Sequence, residues 1–369
     1  MRRFLIFFVS FMFVFVKNVL AIDTSADCAC LILADTGEVI YEKNAYNIHQ
    51  IASTTKIITG LLAIESNKLS ETVTVSANAA AAEGSSIYIE PGNIITLEEL
   101  VWGMLLNSGN DAACAVAEHL SGSIEEFAVE MTERARELGA VNTSFKNPSG
   151  LDADGHYSTA YDMALLTSHA LENEKFREIV STKNAQINVD GAVCYLKNHN
   201  KLLWSYEGCI GVKTGYTKST GRCLVSAAER DGITLVAVTL GAPDDWNDHK
   251  KMLDYGFENT ENKTVISQGE IMKKFNQWGF NAIASETFRA PVLKDKNADV
   301  EVILHTIKAP TRNIIKNEKI GYAECLYNGR IIKSIDILCD KDVIMEREKQ
   351  SFLMLFLKLL TNFFDLSIG

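Results

Sequence analysis

Three short polar segments constrain the fold of this chain more than any other feature: Ser53-Thr54-Thr55-Lys56, Ser108-Gly109-Asn110 and Lys213-Thr214-Gly215. They lie far apart, each beside an apolar run. At average residue usage a lone S-x-x-K occurs about once by chance in a chain of this length, and a K-T-G or an S-G-N in roughly one such chain in ten. Their joint occurrence points to a single cleft that the fold must assemble from distant parts of the chain.

The residue types define a chemistry. A serine hydroxyl is a weak nucleophile and needs a base within hydrogen-bond reach. Ser53 opens a helical pattern that runs through Glu65, with Ile57, Ile58, Leu61, Leu62 and Ile64 apolar, and positions i and i+3 of a helix share one face. Ser53 and Lys56 therefore point into the same cleft. A lysine acts as a base only when neutral, so the Lys56 pKa has to fall well below the ordinary value of about 10.4. Burial and a second cation do that, and Lys213 is the candidate for the second cation. Ser108-Gly109-Asn110 reads as a loop between helices that brings a hydroxyl, able to relay a proton, and an amide, able to hold a carbonyl, to the same place. The same residues also read as an Asx turn or helix cap ahead of Ala112–Leu120. Lys213-Thr214-Gly215 ends a strand at a glycine, where an extended peptide can lie against the edge. Lys213 and Thr214 there offer charge and a hydroxyl to a carboxylate.

Around these segments the patterns predict an α/β fold: an α/β sandwich carrying a helical subdomain, followed by a small all-β domain. Residues Ala29–Lys43 read as a hairpin about Asp35-Thr36-Gly37, and Leu97–Leu171 as mainly helical, broken at Asn107–Gly109 and Asn147–Gly150. Gly208–Gly241 reads as strands, and Asp245–Phe257 as a closing helix. Beyond about Glu261 come the alternating segments Val300–His305, Ile320–Leu326 and Arg330–Leu338, with a turn at Asn328-Gly329. The expected division is 1–21 as a targeting segment, 22–260 as the domain holding the three motifs, 261–342 as the β domain and 343–369 as a terminal amphipathic helix.

The targeting segment has Arg2-Arg3 ahead of the apolar Phe4–Val16, with Val19-Leu20-Ala21 at the cleavage positions. Cleavage after Ala21 removes Arg2, Arg3 and Lys17, and takes the formal charge from −11 to −14. That acidity, with no basic patch carrying interleaved aromatics, argues against nucleic acid as a partner. In Ser351–Leu366, Phe352, Leu355, Phe356, Leu359 and Phe363 recur at helical spacing. This stretch is shorter than a spanning helix, and the expectation is a helix lying in the membrane interface, with docking on the β domain as the other possibility. The eight cysteines show no disulfide framework and are expected to be buried free thiols. If the Asn328-Gly329 turn closes a two-residue hairpin, Cys325 faces Ile332 and not Cys339. No Cys-x-x-Cys or His-x-x-x-His pair suggests a metal, and the chemistry needs no cofactor. Of the seven histidines, His156 and His199 lie in loops that could line the cleft, although ordinary polar roles are expected. Asp111 and Asp162 read as structural hydrogen-bond partners or caps.

The three motifs in this order resemble the low-molecular-mass penicillin-binding proteins, the D-alanyl-D-alanine carboxypeptidases of the S11 serine peptidase family. The stretches Glu83–Ser86, Leu106–Ala113, Asn147–Leu151 and Asn198–Leu203 fit as well, as does the layout of the whole chain. The resemblance implies a β-lactamase/transpeptidase-like fold. It also implies removal of the terminal D-alanine from peptidoglycan stem peptides through an acyl-enzyme, inhibition by β-lactams, and a location on the outer face of the cytoplasmic membrane. It makes Ser53 the nucleophile, Lys56 its base and Ser108 the proton relay. Asn110 would hold the substrate amide, Lys213 and Thr214 the terminal carboxylate, and the N–H groups of Ser53 and Tyr216, beside Gly215, the oxyanion.

One departure stands out. The best-studied members place an arginine shortly after the strands of the third motif, and Gly241–His249 contains none. A class A β-lactamase is disfavoured because no Glu-x-x-Leu-Asn lies between the second and third motifs. A D,D-endopeptidase on the same fold, and a non-catalytic wall-binding protein, are the other readings.

Overall fold

The computed structural model describes residues 22–294 and 300–345. The expected targeting segment, and the expected terminal helix from residue 346 onward, lie outside the described residues. The first hairpin is β1 (Cys28–Leu33) and β2 (Val39–Lys43), as the turn-formers between them predict. A 3₁₀ turn, Ala52–Thr55, leads into α1 (Lys56–Glu65). The short strands β3 (Thr72–Thr74) and β4 (Ile94–Thr96) pair around α2 (Ala77–Ala80). Then come α3 (Leu97–Leu106), α4 (Asn110–Ser121), α5 (Ile124–Glu137), α6 (Ala160–Glu172) and α7 (Glu174–Ser181). The β5 (Asn184–Val189) and β6 (Ala192–Lys197) hairpin and α8 (Leu202–Ser205) connect these helices to β7 (Cys209–Thr217), β8 (Gly221–Arg230), β9 (Ile233–Leu240) and α9 (Asp245–Asn259).

The main sheet is antiparallel in the order β2-β1-β9-β8-β7, with helices on both faces. Period-2 alternation divides β1 between two cores. Cys28, Cys30 and Ile32 face the helical subdomain, while Ala29, Leu31 and Leu33 meet Met252 and Leu253 of α9. This two-sided burial explains why β1 and β9 read as apolar runs without alternation. Each fully buried Leu or Ile in these layers contributes roughly 1.5–3 kcal/mol. The order leaves β7, which carries the third motif, at the edge of the sheet.

After α9 the described chain is all strand: β10 (Thr260–Ile266), β11 (Ile271–Phe275), β12 (Phe280–Ala284), β13 (Phe288–Leu293), β14 (Glu301–Thr306), β15 (Lys319–Tyr327) and β16 (Arg330–Cys339). Five of these form the sheet β11-β12-β16-β15-β14, and β10 pairs with β13. Their core is separate, built on Phe275, Phe280, Ile335 and Ile337. The Tyr327 hydroxyl donates to Glu38 Oε2 at 3.0 Å, tying β15 to the loop between β1 and β2.

Several local expectations are corrected. Ser53 does not open the α-helix; it sits in the 3₁₀ turn, and α1 starts at Lys56. Ala52 at φ 46° breaks the helical run ahead of it, and residues i and i+3 eclipse in a 3₁₀ turn, so Ser53 and Lys56 still share a face. Asn110 is the first residue of α4 and not its cap, because Gly109 occupies that position. A bulge between Cys325 and Leu326 pairs Cys325 with Lys333 instead of Ile332. The β5–β6 hairpin, turning at Asp190-Gly191, was signalled only by that dipeptide. All eight cysteines are free, six of them buried. Among the described residues no helix is long and apolar enough to cross a membrane.

Candidate active site

The fold converges the three motifs. Lys56 is fully buried, and its Nζ donates to Ser53 Oγ at 3.0 Å, Asn110 Oδ1 at 2.7 Å and the Ser149 carbonyl at 2.5 Å. Lys213, also buried, donates to Ser108 Oγ at 3.0 Å and to the Thr214 carbonyl at 2.9 Å. Burial drives the Lys56 pKa well below the ordinary lysine range, and the positive charge of Lys213 lowers it further. Burial alone brings Lys213 down to about 7. Taking an ammonium out of water is costly even where acceptors are in reach, and burial pushes both lysines towards the neutral form. In its neutral form Lys56 can accept from the Ser53 hydroxyl instead of donating to it, and at 3.0 Å it can take that proton.

Ser53, Ser108, Thr214, Gly215 and Tyr216 line one cleft of about 320 Å³. Lys56, Asn110 and Lys213 lie beneath it, joined to its floor by the bonds just described. The approach of β7 to the 3₁₀ turn requires Gly215, since a Cβ there would sit 3.0 Å from the Ser53 nitrogen. The backbone N–H groups around Ser53 are therefore close to the strand edge. Ser108 is held at φ 63°, a strained conformation for a residue with a side chain. The Asn110 amide is engaged on both sides, because its Nδ2 donates to the Glu83 carbonyl at 2.6 Å while its Oδ1 receives Lys56.

The supporting residues explain the geometry. Asp111 accepts from the backbone N–H groups of Ile87 and Ile89 and from the Ser86 hydroxyl, fixing the 84–90 loop over the cleft. Asp162 accepts from the Asn142 N–H and the Thr143 hydroxyl. Both are the structural partners that the sequence suggests. His156 lies behind the site, bonded to Thr55 Oγ1 at 2.9 Å and to the Lys146 N–H at 3.1 Å, and burial lowers its pKa to about 4. His199 does line the cleft, beside Lys201.

Sequence reasoning missed some of the lining. The Ser149 carbonyl was invisible because a backbone acceptor carries no residue signature. Arg222, Asp245 and Trp246 also line the cleft. Arg222 had one findable signal, since a tight β7–β8 turn puts it opposite Tyr216. Among the described residues no cluster of metal-ligating side chains is present.

Comparison with known proteins gives the family. A family model for D-alanyl-D-alanine carboxypeptidases matches residues 15–244. The chain is 36% identical to D-alanyl-D-alanine carboxypeptidase DacF of Bacillus subtilis, over 86% of each chain. Its fold matches the crystal structure of D-alanyl-D-alanine carboxypeptidase DacD from Francisella tularensis with a TM-score of 0.63 at 25% identity, covering 88% of this chain and 95% of that one. The Streptomyces K15 DD-transpeptidase matches with a TM-score of 0.62 at 32% identity, covering 65% of this chain and all of the other. With motifs, fold and relatives in agreement, the chain belongs to the D-alanyl-D-alanine carboxypeptidase family of S11 serine peptidases.

Proposed function

We propose that this chain removes the terminal D-alanine from peptidoglycan stem pentapeptides ending in D-Ala-D-Ala, with Ser53 as the acylated residue. The observation that carries this reading is the 3.0 Å contact between Ser53 Oγ and a fully buried Lys56 Nζ, whose pKa is lowered by burial and by the charge on Lys213. Ser53 Oγ attacks the carbonyl of the penultimate D-alanine while Lys56 takes its proton. The charge on the carbonyl oxygen is held by the N–H groups of Ser53 and Tyr216, as preorganised donors do in such sites. Ser108, bonded to Lys213, relays the proton taken up by Lys56 to the departing amine of D-alanine, which leaves Lys56 neutral again. Water, with Lys56 again as base, then hydrolyses the Ser53 ester and regenerates the hydroxyl. Asn110 positions the substrate amide with the Nδ2 proton not given to Glu83, and Thr214 meets the terminal carboxylate. A β-lactam enters by the same attack and remains on Ser53.

The test is incubation with a muramyl pentapeptide and identification of the products by mass. Free D-alanine and a tetrapeptide are expected from the native chain, and neither from Ser53→Ala. A penicillin adduct that persists in Ser53→Ala would overturn the assignment.

The layout supports a further reading of the whole chain. Residues 1–21 direct export and 22–260 carry the chemistry, while 261–342 form a spacer. Residues 343–369 hold the enzyme on the outer face of the cytoplasmic membrane through Phe352, Leu355, Phe356, Leu359 and Phe363. Burying several such side chains at roughly 1.5–3 kcal/mol each is enough for attachment that resists salt and yields to detergent. A truncated chain ending at Lys349 should lose membrane association; if it pellets as fully as the intact chain, the anchor lies elsewhere.

A further inference from the structure

The charge available to a substrate in this cleft is not where the third motif suggests. Lys213 is buried, directs its ammonium at Ser108 and the Thr214 carbonyl, and is not among the groups lining the cleft. With a pKa near 7 it also carries only part of a positive charge at neutral pH. A peptide carboxylate lying beside Thr214 therefore needs another partner; the lysine and arginine side chains lining the cleft are Lys201 and Arg222, and Arg222 is the one held by a buried carboxylate.

Arg222, the second residue of β8, lies directly across from Tyr216, two residues beyond Thr214, and its side chain lines the same cavity as Ser53 and Thr214. Two contacts fix its plane. Nη2 donates to Asp245 Oδ1 at 2.9 Å, and the guanidinium carbon lies 5.7 Å from the centre of the Trp246 ring. The Asp245 carboxylate is itself nearly buried and accepts the Trp246 N–H at 2.8 Å, which locks the three residues into one unit. Asp245 takes one of the five N–H donors of a rigid fork built for bidentate carboxylate binding. The side chain keeps 43% of its surface exposed, on the cleft side of that unit. A clamped, half-exposed guanidinium beside a hydroxyl is a carboxylate receptor that needs little further ordering.

We propose that Arg222, clamped by Asp245 and lying over the Trp246 ring, binds the C-terminal carboxylate of the substrate together with Thr214 and sets the preference for a free carboxylate end. This assignment rests on the carboxypeptidase reading above. It gives the cleft a carboxylate-binding arginine drawn from the β7–β8 hairpin, where the segment Gly241–His249 offers none.

The experiment compares hydrolysis of an N-acylated peptide ending in D-Ala-D-Ala with that of the same peptide ending in D-alaninamide. The native chain should favour the acid in kcat/KM by about 10- to 100-fold, the range of a charged hydrogen-bonded pair. In Arg222→Gln the acid should fall by that factor while the amide changes less than about twofold, so that the preference collapses. Arg222→Lys should restore part of it, since a point charge replaces the fork. Melting temperatures verify folding, and if Arg222→Gln does not fold, a reduced preference in Arg222→Lys carries the test. An unchanged preference in these variants, or equal loss on both peptides, would overturn the role of Arg222. A native chain that cleaves neither peptide would instead overturn the carboxypeptidase reading on which it rests.

Discussion

Gly150 gives the sharpest test of how the site is held together. It sits at φ 86°, and a Cβ built there would lie 1.9 Å from the Ala52 carbonyl oxygen and 2.8 Å from Thr55 Oγ1. A carbon and an oxygen in close contact stand about 3.3 Å apart, so Gly150→Ala forces these two backbone segments apart by about 1.4 Å. No side-chain rotation relieves this, because the obstructing atom is main chain. One segment carries Ser53, and the other carries the Ser149 carbonyl that holds Lys56 Nζ at 2.5 Å. Separating them pulls Ser53 and Lys56 out of register. A misplacement of about 1 Å can cost roughly 100-fold in rate. Left-handed backbone costs a residue with a Cβ about 1–2 kcal/mol, and the overlap adds about 1–3 kcal/mol. Gly150→Ala should therefore lower the melting temperature by roughly 4–20 °C at about 2–4 °C per kcal/mol. Its second-order rate of acylation by a labelled penicillin should fall about 100-fold. Gly191→Ala is the control: its φ is 82°, but nothing lies within 4 Å of the new Cβ. It should show only the conformational cost and acylate normally. If Gly150→Ala acylates within about threefold of the native chain, the 52–55 turn is not positioned by Gly150 and the reasoning fails.

Other outcomes follow from the same contacts. Lys56→Arg keeps the charge but cannot give up its proton at working pH, so penicillin acylation should fall by about 10²–10⁴-fold; near-native rates would remove Lys56 from the role of base. Because the charge on Lys213 lowers the Lys56 pKa, Lys213→Met should move the acid limb of the acylation pH profile to higher pH, and a limb that stays or moves down would contradict the coupling. His156 and His249 are buried with pKa values lowered to about 4 and about 3, below the ordinary value of about 6.5. The native state thus binds fewer protons than the unfolded chain, and stability is lost as pH falls from about 6.5 towards the folded values, at up to about 1.4 kcal/mol per pH unit for each histidine. Urea unfolding at pH 7, 6 and 5 measures this slope, which His249→Gln should reduce. Thr96 and Glu99 close a capping box at the start of α3; Thr96→Ala should cost about 1 kcal/mol in thermal melts and leave acylation unchanged.

Much of this molecule is written in local patterns. The apolar runs of β1 and β9, the turn residues Asp35-Thr36-Gly37 and Asn328-Gly329, and the helical periodicity after Lys56 each report how a short segment is buried, and the elements formed where these patterns lie. The three motifs likewise name the residue types of the site, because the proposed chemistry needs particular functional groups. Tertiary structure alone decided how those groups meet. The depressed Lys56 pKa depends on complete burial and on a lysine from the far edge of the main sheet. Its third hydrogen-bond partner is a main-chain carbonyl at Ser149, which leaves no mark in composition or periodicity. The clamp of Arg222 by Asp245 and Trp246 joins the start of β8 to the start of α9. Desolvation and through-space charge are set by what packs around a group from every direction, whereas a sequence pattern records only the neighbours along the chain.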